Sequence, residues 1–167
     1  MTATGFNTNT GAAYNAYLDA GNAGLGVCQT LSGDQCAPSS DDNVTYQESL
    51  QLVFDQEVEI TTTTFVNGEH KGVFNGNFSL IIDGVAAVSH VLTPTFSTPL
   101  IGTTFVFSNL NGAFDATGDV EKEFYINALE VNLAPPTTVV PIPAAAWLFG
   151  TGIMGLVGMA KRRKLNS

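Results

Sequence analysis

Residues 48–54, ESLQLVF, and residues 57–66, EVEITTTTFV, decide the fold class. In the first stretch Leu50, Leu52 and Phe54 alternate with other residues, which is typical of a half-buried strand. The second stretch is rich in β-branched residues, whose stiff side chains favour strands over helices. Its alternation predicts that one face consists of Val58, Ile60, Thr62, Thr64 and Val66. We therefore expect two consecutive strands here.

Short strands separated by turn residues continue along the chain. The pattern predicts further strands at residues 78–82, 85–92, 96–108 and 124–133. Turns are expected at Asn67-Gly68, which is of the hairpin type, at Asp83-Gly84 and at Asn111-Gly112. Amphipathic helical periodicity is absent between these strands, so the sequence predicts an all-β fold. An antiparallel β-sandwich of jelly-roll-like topology is the preferred arrangement, and a partly open barrel is the alternative.

Charge is divided unequally along the chain. All 15 acidic residues lie between Asp19 and Glu130. Four of the six basic residues form one cluster near the C-terminus, Lys161, Arg162, Arg163 and Lys164. An anionic body repels phosphate groups, so nucleic acid is excluded as an expected partner.

The sequence after the last predicted strand has three parts. Residues 134–143, APPTTVVPIP, form a proline-rich spacer that favours extended structure. Residues 144–160, AAAWLFGTGIMGLVGMA, contain no charge and would form a helix of roughly 25 Å, which is the short end of a membrane span. Trp147 lies near one end of this span, where an interface anchor is expected. Residues 161–167 begin with the basic cluster, which predicts a cytoplasmic tail.

The C-terminal segment resembles the sorting signal of the PEP-CTERM family of Gram-negative bacteria. The motif Val140, Pro141, Ile142, Pro143 and Ala144, followed by an apolar helix and a basic cluster, is similar to the VPLPA variant of that signal. Ile142 stands where the parent signal has Glu. The resemblance implies an exosortase-type membrane processing enzyme as partner, export through the Sec route, and association with exopolysaccharide or biofilm matrix.

These features predict a cell-envelope protein with a single C-terminal transmembrane helix. Residues 1–133 would be an acidic ectodomain, anchored in the inner membrane during sorting with its body outside and later found at the cell surface or outside the cell. The predicted contacts are with the processing enzyme, membrane lipid and polysaccharide. Residues 1–30 lack the basic and apolar regions of a Sec signal peptide, so we expect the true N-terminus to lie upstream of Met1.

The two cysteines, Cys28 and Cys36, lie close together in a loop-like stretch. In an oxidising compartment they are expected to form a disulfide. By the chain-entropy model a loop of this size would contribute about 2–3 kcal/mol to stability. Two free thiols are the alternative.

No cofactor is expected, with calcium as the open alternative. Hard cations require several oxygen ligands at once, and carboxylates cluster in two predicted loops. The candidate ligands are Asp34, Asp41, Asp42, Asp115 and Asp119. Aspartates are equally typical of turns, where they are selected for backbone geometry.

The sequence gives little indication of catalysis. His70 and His90 are the two histidines, and GxSxG, HExxH and CxxC motifs are absent. The expected function is therefore non-enzymatic. A carbohydrate-binding module is the alternative, and a hydrolase with two facing carboxylates is a third hypothesis. Four tyrosines are candidates either for stacking on sugar rings or for the core, namely Tyr14, Tyr17, Tyr46 and Tyr125.

Overall fold

The computed structural model describes residues 1–109 and 120–134, and the strands lie within these ranges. In chain order they are β1 (Thr2–Asn7), β2 (Ala13–Asp19), β3 (Gly24–Cys28), β4 (Leu31–Ser32), β5 (Gln35–Cys36), β6 (Glu48–Val66), β7 (Asn77–Ile82), β8 (Val88–Val91), β9 (Thr95–Phe96), β10 (Leu100–Asn109) and β11 (Tyr125–Leu133). The described residues contain no helix. All ladders between these strands are antiparallel. The predicted all-β class is therefore confirmed.

Strand β6 lies at the centre of the main sheet and pairs with four other strands. Its first half pairs with β1 along one edge and with β10 along the other. Its second half pairs with β11, and near its end with β9. The two strands predicted at 48–54 and 57–66 are thus one strand, which spans an exposed stretch at residues 55–57.

The pairings form a closed circuit on one edge of β6. Strand β1 pairs with β2, β2 with β3, β3 with β11, β11 with β6, and β6 again with β1. On the other edge the sheet continues through β10, β7 and β8. Strands β4 and β5 form a separate small hairpin.

The face predicted for the second half of β6 is partly wrong. Val58 and Ile60 are buried as expected, but Thr63 and Phe65 are buried beyond them. The predicted inward residues Thr62, Thr64 and Val66 are only partly buried. The reason is an irregular register with β11, where Val131 pairs with Ile60 and Glu130 with Thr62. Thr61 is therefore an extra residue, and such a bulge exchanges the two faces of a strand.

Other predicted elements are placed with small differences. The strands expected at 78–82 and 124–133 correspond to β7 and β11, and the strand expected at 85–92 is limited to β8. The single strand expected at 96–108 is divided into β9 and β10. The turn expected at Asn67-Gly68 is present, but it does not form a hairpin, because β6 does not pair with β7, whose partners are β10 and β8. The turn expected at Asn111-Gly112 lies outside the described residues.

Aromatic rings from three strands fill the core. The ring centre of Phe65 lies 5.1 Å from that of Phe78 and 5.4 Å from that of Phe124. Phe107 packs against the same group, and all four side chains are almost completely buried. Each fully buried apolar side chain of this size contributes about 1.5–3 kcal/mol. The core therefore ties β6, β7 and β10 to the chain just before β11.

The sorting motif and membrane segment fall outside the described part of the chain. This concerns the spacer beyond Ala134, the predicted helix at 144–160, and the tail at 161–167. In the part that is described, residues 1–109 and 120–134, no helix has the length and apolar character needed to cross a membrane.

Candidate functional site

A polar pocket opens where the ends of several strands meet. Asp19 ends β2, Tyr125 begins β11, and His70 lies in the loop that follows β6. The pocket has a volume of about 350 Å³. It is lined by Asp19, Ser39, Ser40, Asp42, Asn43, Gly68, His70, Val120, Glu123 and Tyr125. Its lining therefore includes three carboxylates, and His70 is the basic side chain among these residues.

Close packing against β3 positions the acidic segment before β6. A side chain at Gly26 would meet the Asp42 carbonyl oxygen and lie 2.7 Å from the Asn43 Cα. Only glycine allows two backbones to approach so closely. The Val27 amide then donates to the Asn43 carbonyl at 3.3 Å. Asp42 and Asn43 are thus held against the sheet with their side chains at the pocket.

The loop after β6 is organised by Asn67, which is almost fully buried. Its Oδ1 accepts hydrogen bonds from the amides of Glu69 and Lys71, each at 3.0 Å. Its Nδ2 donates to the Val73 carbonyl at 3.0 Å. These bonds fix the turn that presents His70, which has a left-handed φ of 61°. Side chains of asparagine stabilise such turns by replacing backbone partners.

Asp42 and Tyr125 form a buried polar contact in the pocket. The Tyr125 hydroxyl donates to Asp42 Oδ1, and both residues are more than nine-tenths buried. Burial raises the pKa of Asp42, and the nearby charge of Asp19 raises it further, whereas the bond from Tyr125 lowers it. Burial, followed by the bond to Asp42, raises the pKa of Tyr125. Tyr125 is therefore a neutral donor across the ordinary pH range.

Asn43 is a buried polar residue of the pocket lining, and one of its side-chain atoms has no hydrogen-bond partner. Its Nδ2 donates to Glu123 Oε2 at 2.8 Å. Its Oδ1 is buried and has no hydrogen-bond partner, although the residue is only 3% exposed. A buried acceptor without a partner costs about 1–3 kcal/mol.

Asp19 and His70 form a more exposed contact at the pocket. His70 Nε2 lies 3.5 Å from Asp19 Oδ2, with side-chain exposures of 38% and 23%. The His70 ring also packs edge-on against Tyr125 at 5.4 Å. Hydrogen bonds of the described residues connect neither Ser39 nor Ser40 to His70, so the geometry gives a histidine–aspartate pair without an attached nucleophile.

A further buried carboxyl, which does not line the pocket, lies at the start of β6. Glu48 begins β6, is 1% exposed, and accepts a bond from the Thr45 amide at 3.0 Å. The Gln29 side chain donates to its other oxygen at 3.4 Å. Burial raises the pKa of Glu48 to about 7, and the charges of Asp41 and Glu123 contribute in the same direction. Sequence patterns did not identify this residue, because a glutamate at the start of a strand is ordinarily exposed.

Cys28 and Cys36 form a disulfide, with their Cα atoms 5.8 Å apart. The bond joins the end of β3 to β5 and closes the β4–β5 hairpin against the sheet. Asp41 lies close to both sulfur atoms. Because the sulfurs are bonded to each other, this group offers no thiolate to a metal ion.

The residues predicted to bind calcium lie at different places. Asp34 is exposed in the turn between β4 and β5, and the Asp41 side chain accepts from the Gln29 amide at 3.1 Å. Asp42 faces Tyr125 in the pocket. Asp115 and Asp119 lie outside the described residues, so a calcium site that includes them remains a prediction.

The remaining candidates of the sequence lie largely in packed positions. His90 stacks on Phe78 at 5.3 Å and lines a shallow apolar groove beside β8. Tyr14 is partly buried against the core, whereas Tyr46 is exposed. Tyr125 is buried and also lines the pocket.

The geometry defines an all-β domain with an anionic, acceptor-rich pocket. Compared with the models of known protein families, with curated proteins and with solved structures, the chain matches none of them.

Proposed function

We propose that this chain is an exported cell-envelope protein without catalytic activity. Its acidic β-domain would lie outside the membrane, and its C-terminal segment would act as a sorting signal for an exosortase-type enzyme. The observation that most directly supports export is the Cys28–Cys36 disulfide, since such bonds persist in oxidising compartments. The motif at Val140–Ala144 and the basic cluster after residue 160 support the sorting step.

The arrangement of the strands around β6 suggests a finer description of the fold. The pairing of β6 with β10 is irregular around residues 55–57, where the register passes from Val58 opposite Gly102 to Val53 opposite Thr104. Strands can pass from one layer of a sandwich to the other at such bulges. The closed circuit of β1, β2, β3, β11 and β6 favours a partly open barrel at one end of the sandwich over a regular jelly roll.

The state of the cysteines in the cell tests the export proposal. Protein taken from the cell envelope is alkylated without reduction and mapped by mass spectrometry. We expect one cross-linked peptide containing Cys28 and Cys36, and no alkylated cysteine. A Cys28→Ser variant provides the control, because it must yield an alkylated or differently bonded Cys36. Two alkylated cysteines in the wild-type envelope protein would contradict export in the proposed form.

The pocket favours a second candidate, a carbohydrate-binding module. Sugars present many hydroxyl donors, and the pocket wall offers the carboxylates of Asp19 and Asp42 together with two serine hydroxyls. Its volume falls at the lower end of the range of about 300–1,000 Å³ for small-molecule sites, which suits one sugar ring. A glycan array probed with the full chain and with Asp42→Asn tests this candidate. Binding that depends on Asp42 supports it.

A further inference from the structure

Strand β8 forms an open edge of the main sheet among the residues that the structure describes. It pairs with β7 on one side, and the order of strands in the sheet ends with it. The Leu92 amide donates to the Gly76 carbonyl at 2.9 Å, so these two residues form a hydrogen-bonded pair of the ladder. Because bonded and non-bonded pairs alternate in an antiparallel ladder, the backbone groups of Ser89 and Val91 point away from β7.

This edge lacks the charged residues that commonly protect such strands. Edge strands of natural proteins are often blunted by lysine, by proline or by inward-pointing charges. The four residues of β8, Val88–Val91, include none of these. The uncharged stretch is longer than the strand, since residues 84–114 contain no Asp, Glu, Lys or Arg. The acid before this stretch, Asp83, is hydrogen-bonded to Thr103 and Thr104.

A shallow apolar groove lies beside the same edge. It has a volume of about 220 Å³ and is lined by apolar side chains of β7, by Val85 and Val88, and by Leu100 at the start of β10. Val85, Val88 and Val91 are 66%, 54% and 66% exposed. The edge therefore offers both a groove for an apolar side chain and apolar side chains that could enter a groove. When a strand is added to a sheet edge, backbone hydrogen bonds supply affinity and such grooves supply specificity.

The distribution of charge favours a second copy of this chain as the partner. The chain has a net charge of −9, so two copies repel each other wherever their acids face. The β8 edge avoids this repulsion, and it gives no attraction to a basic partner. A twofold dimer brings the same patch together twice, so the valines of each copy meet the groove of the other.

We propose that β8 pairs with β8 of a second copy, antiparallel and about a twofold axis. Ser89 of one copy lies opposite Val91 of the other, because the backbone groups of these two residues point outward and then bond to each other. His90 lies at the axis. The pairing joins two sheets into one continuous sheet and covers the exposed valines.

Sedimentation equilibrium of the full chain in detergent tests this proposal. Strands of four residues bury little surface, so we expect a weak dimer that forms as the protein concentration rises. Ser89→Pro removes an amide that points away from β7, and proline is tolerated at such edge positions. We expect it to weaken dimerisation by roughly tenfold or more. The melting temperature of the dilute monomer should not change. A wild-type chain that stays monomeric at every concentration would overturn the proposal.

A charge on the edge gives a second test, which does not depend on how Ser89→Pro folds. In Val91→Lys dimers, two like charges would lie diagonally across the strand pair. We expect dimerisation to weaken by at least roughly tenfold. Leu18→Lys is the matched control, because Leu18 is 73% exposed on β2. A dimer that both lysine variants weaken equally, or that neither weakens, would overturn the assignment to β8.

Cross-linking locates the contact in the wild-type background. Val91→Cys is treated with a short bismaleimide, to which Cys28 and Cys36 do not react because they are bonded to each other. We expect a cross-linked dimer, since the two introduced thiols lie near each other across the pair. Leu18→Cys should give little of this product. Equal cross-linking of the two variants, or none with Val91→Cys, would overturn the proposed pairing.

Discussion

At the scale of single residues, the pocket is formed by contacts between residues far apart in the chain. Patterns in the sequence do not predict such contacts. Gly26 is one of many glycines in the chain, and nothing in its local sequence separates it from turn glycines. Its role depends on the backbone of Asp42 and Asn43, which packs directly against it. Asp41, Asp42 and Asn43 are predictable as a polar loop, but the Tyr125 partner of Asp42 comes from a strand far along the chain. The cluster of acids was therefore predictable, and its assembly into a pocket was not.

The single residue Glu48 makes the stability of the fold depend on pH. Its folded-state pKa of about 7 lies above the ordinary value of 4.5. The folded protein therefore holds this proton more tightly than the unfolded chain does. Its contribution to stability is fully present below pH 4.5 and is lost as the pH rises to about 7, with a total change of about 3 kcal/mol as an upper figure.

Replacement by glutamine tests this effect. We expect Glu48→Gln to remove the part of the stability loss between pH 4.5 and 7 that Glu48 causes, because the amide cannot ionise. Urea unfolding at several pH values measures the free energy of unfolding, and the exposed Glu57→Gln variant is the control. Parallel pH profiles for wild type and Glu48→Gln would show that the carboxyl is not held in its neutral form.

At the scale of elements, the alternation of apolar residues predicted the buried face of β6 correctly in one part and wrongly in another. The alternation at Leu50 and Leu52 predicted their burial correctly, and so did the pattern at Val58 and Ile60. The face then changes at Thr61, because β11 pairs there with an irregular register. A run of threonines fits either face of a strand, so composition gives no sign of the bulge. Strands β1 to β3 were likewise not predicted, since β1 and β2 show weak alternation and β3 ends in three consecutive buried residues.

The turn between β7 and β8 contacts β10 through the side chain of Asp83. Asp83 Oδ1 accepts bonds from the Thr103 hydroxyl at 2.7 Å and the Thr104 amide at 2.8 Å. These contacts hold the turn against β10, where its register with β6 shifts between Gly102 and Thr104. The Thr103 hydroxyl, as the main cause, lowers the pKa of Asp83, which shows that the ionised carboxylate is the bonded form.

Removing this side chain should loosen the turn. We expect Asp83→Ala to lower the free energy of unfolding by about 1–3 kcal/mol, through lost hydrogen bonds and the unfavourable left-handed φ of 49°. Asp83→Asn retains one acceptor oxygen and tolerates that φ, so its loss should be smaller. Urea unfolding compares both with Asp55→Ala, which is exposed and serves as control. Equal stability of Asp83→Ala and Asp55→Ala would contradict the structural role of Asp83.

At the scale of the whole molecule, the proposal depends on the division of charge. The acidic residues end at Glu130, and the basic cluster begins at Lys161, with the uncharged stretch 144–160 between them. A basic residue at the centre of a membrane costs about 2.5–3.5 kcal/mol on insertion scales. Four such residues would keep the C-terminal tail in the cytoplasm while the acidic domain lies on the other side.

Protease protection of tagged ends in intact cells tests this topology most directly. The chain is expressed behind a signal peptide, with one tag in the β-domain and another after Ser167. We predict that external protease removes the domain tag and spares the C-terminal tag. Replacing Lys161, Arg162, Arg163 and Lys164 by neutral residues should lower retention of the protein in the membrane. A C-terminal tag that is digested from outside, with the domain tag protected, would contradict the orientation and the sorting-signal proposal with it.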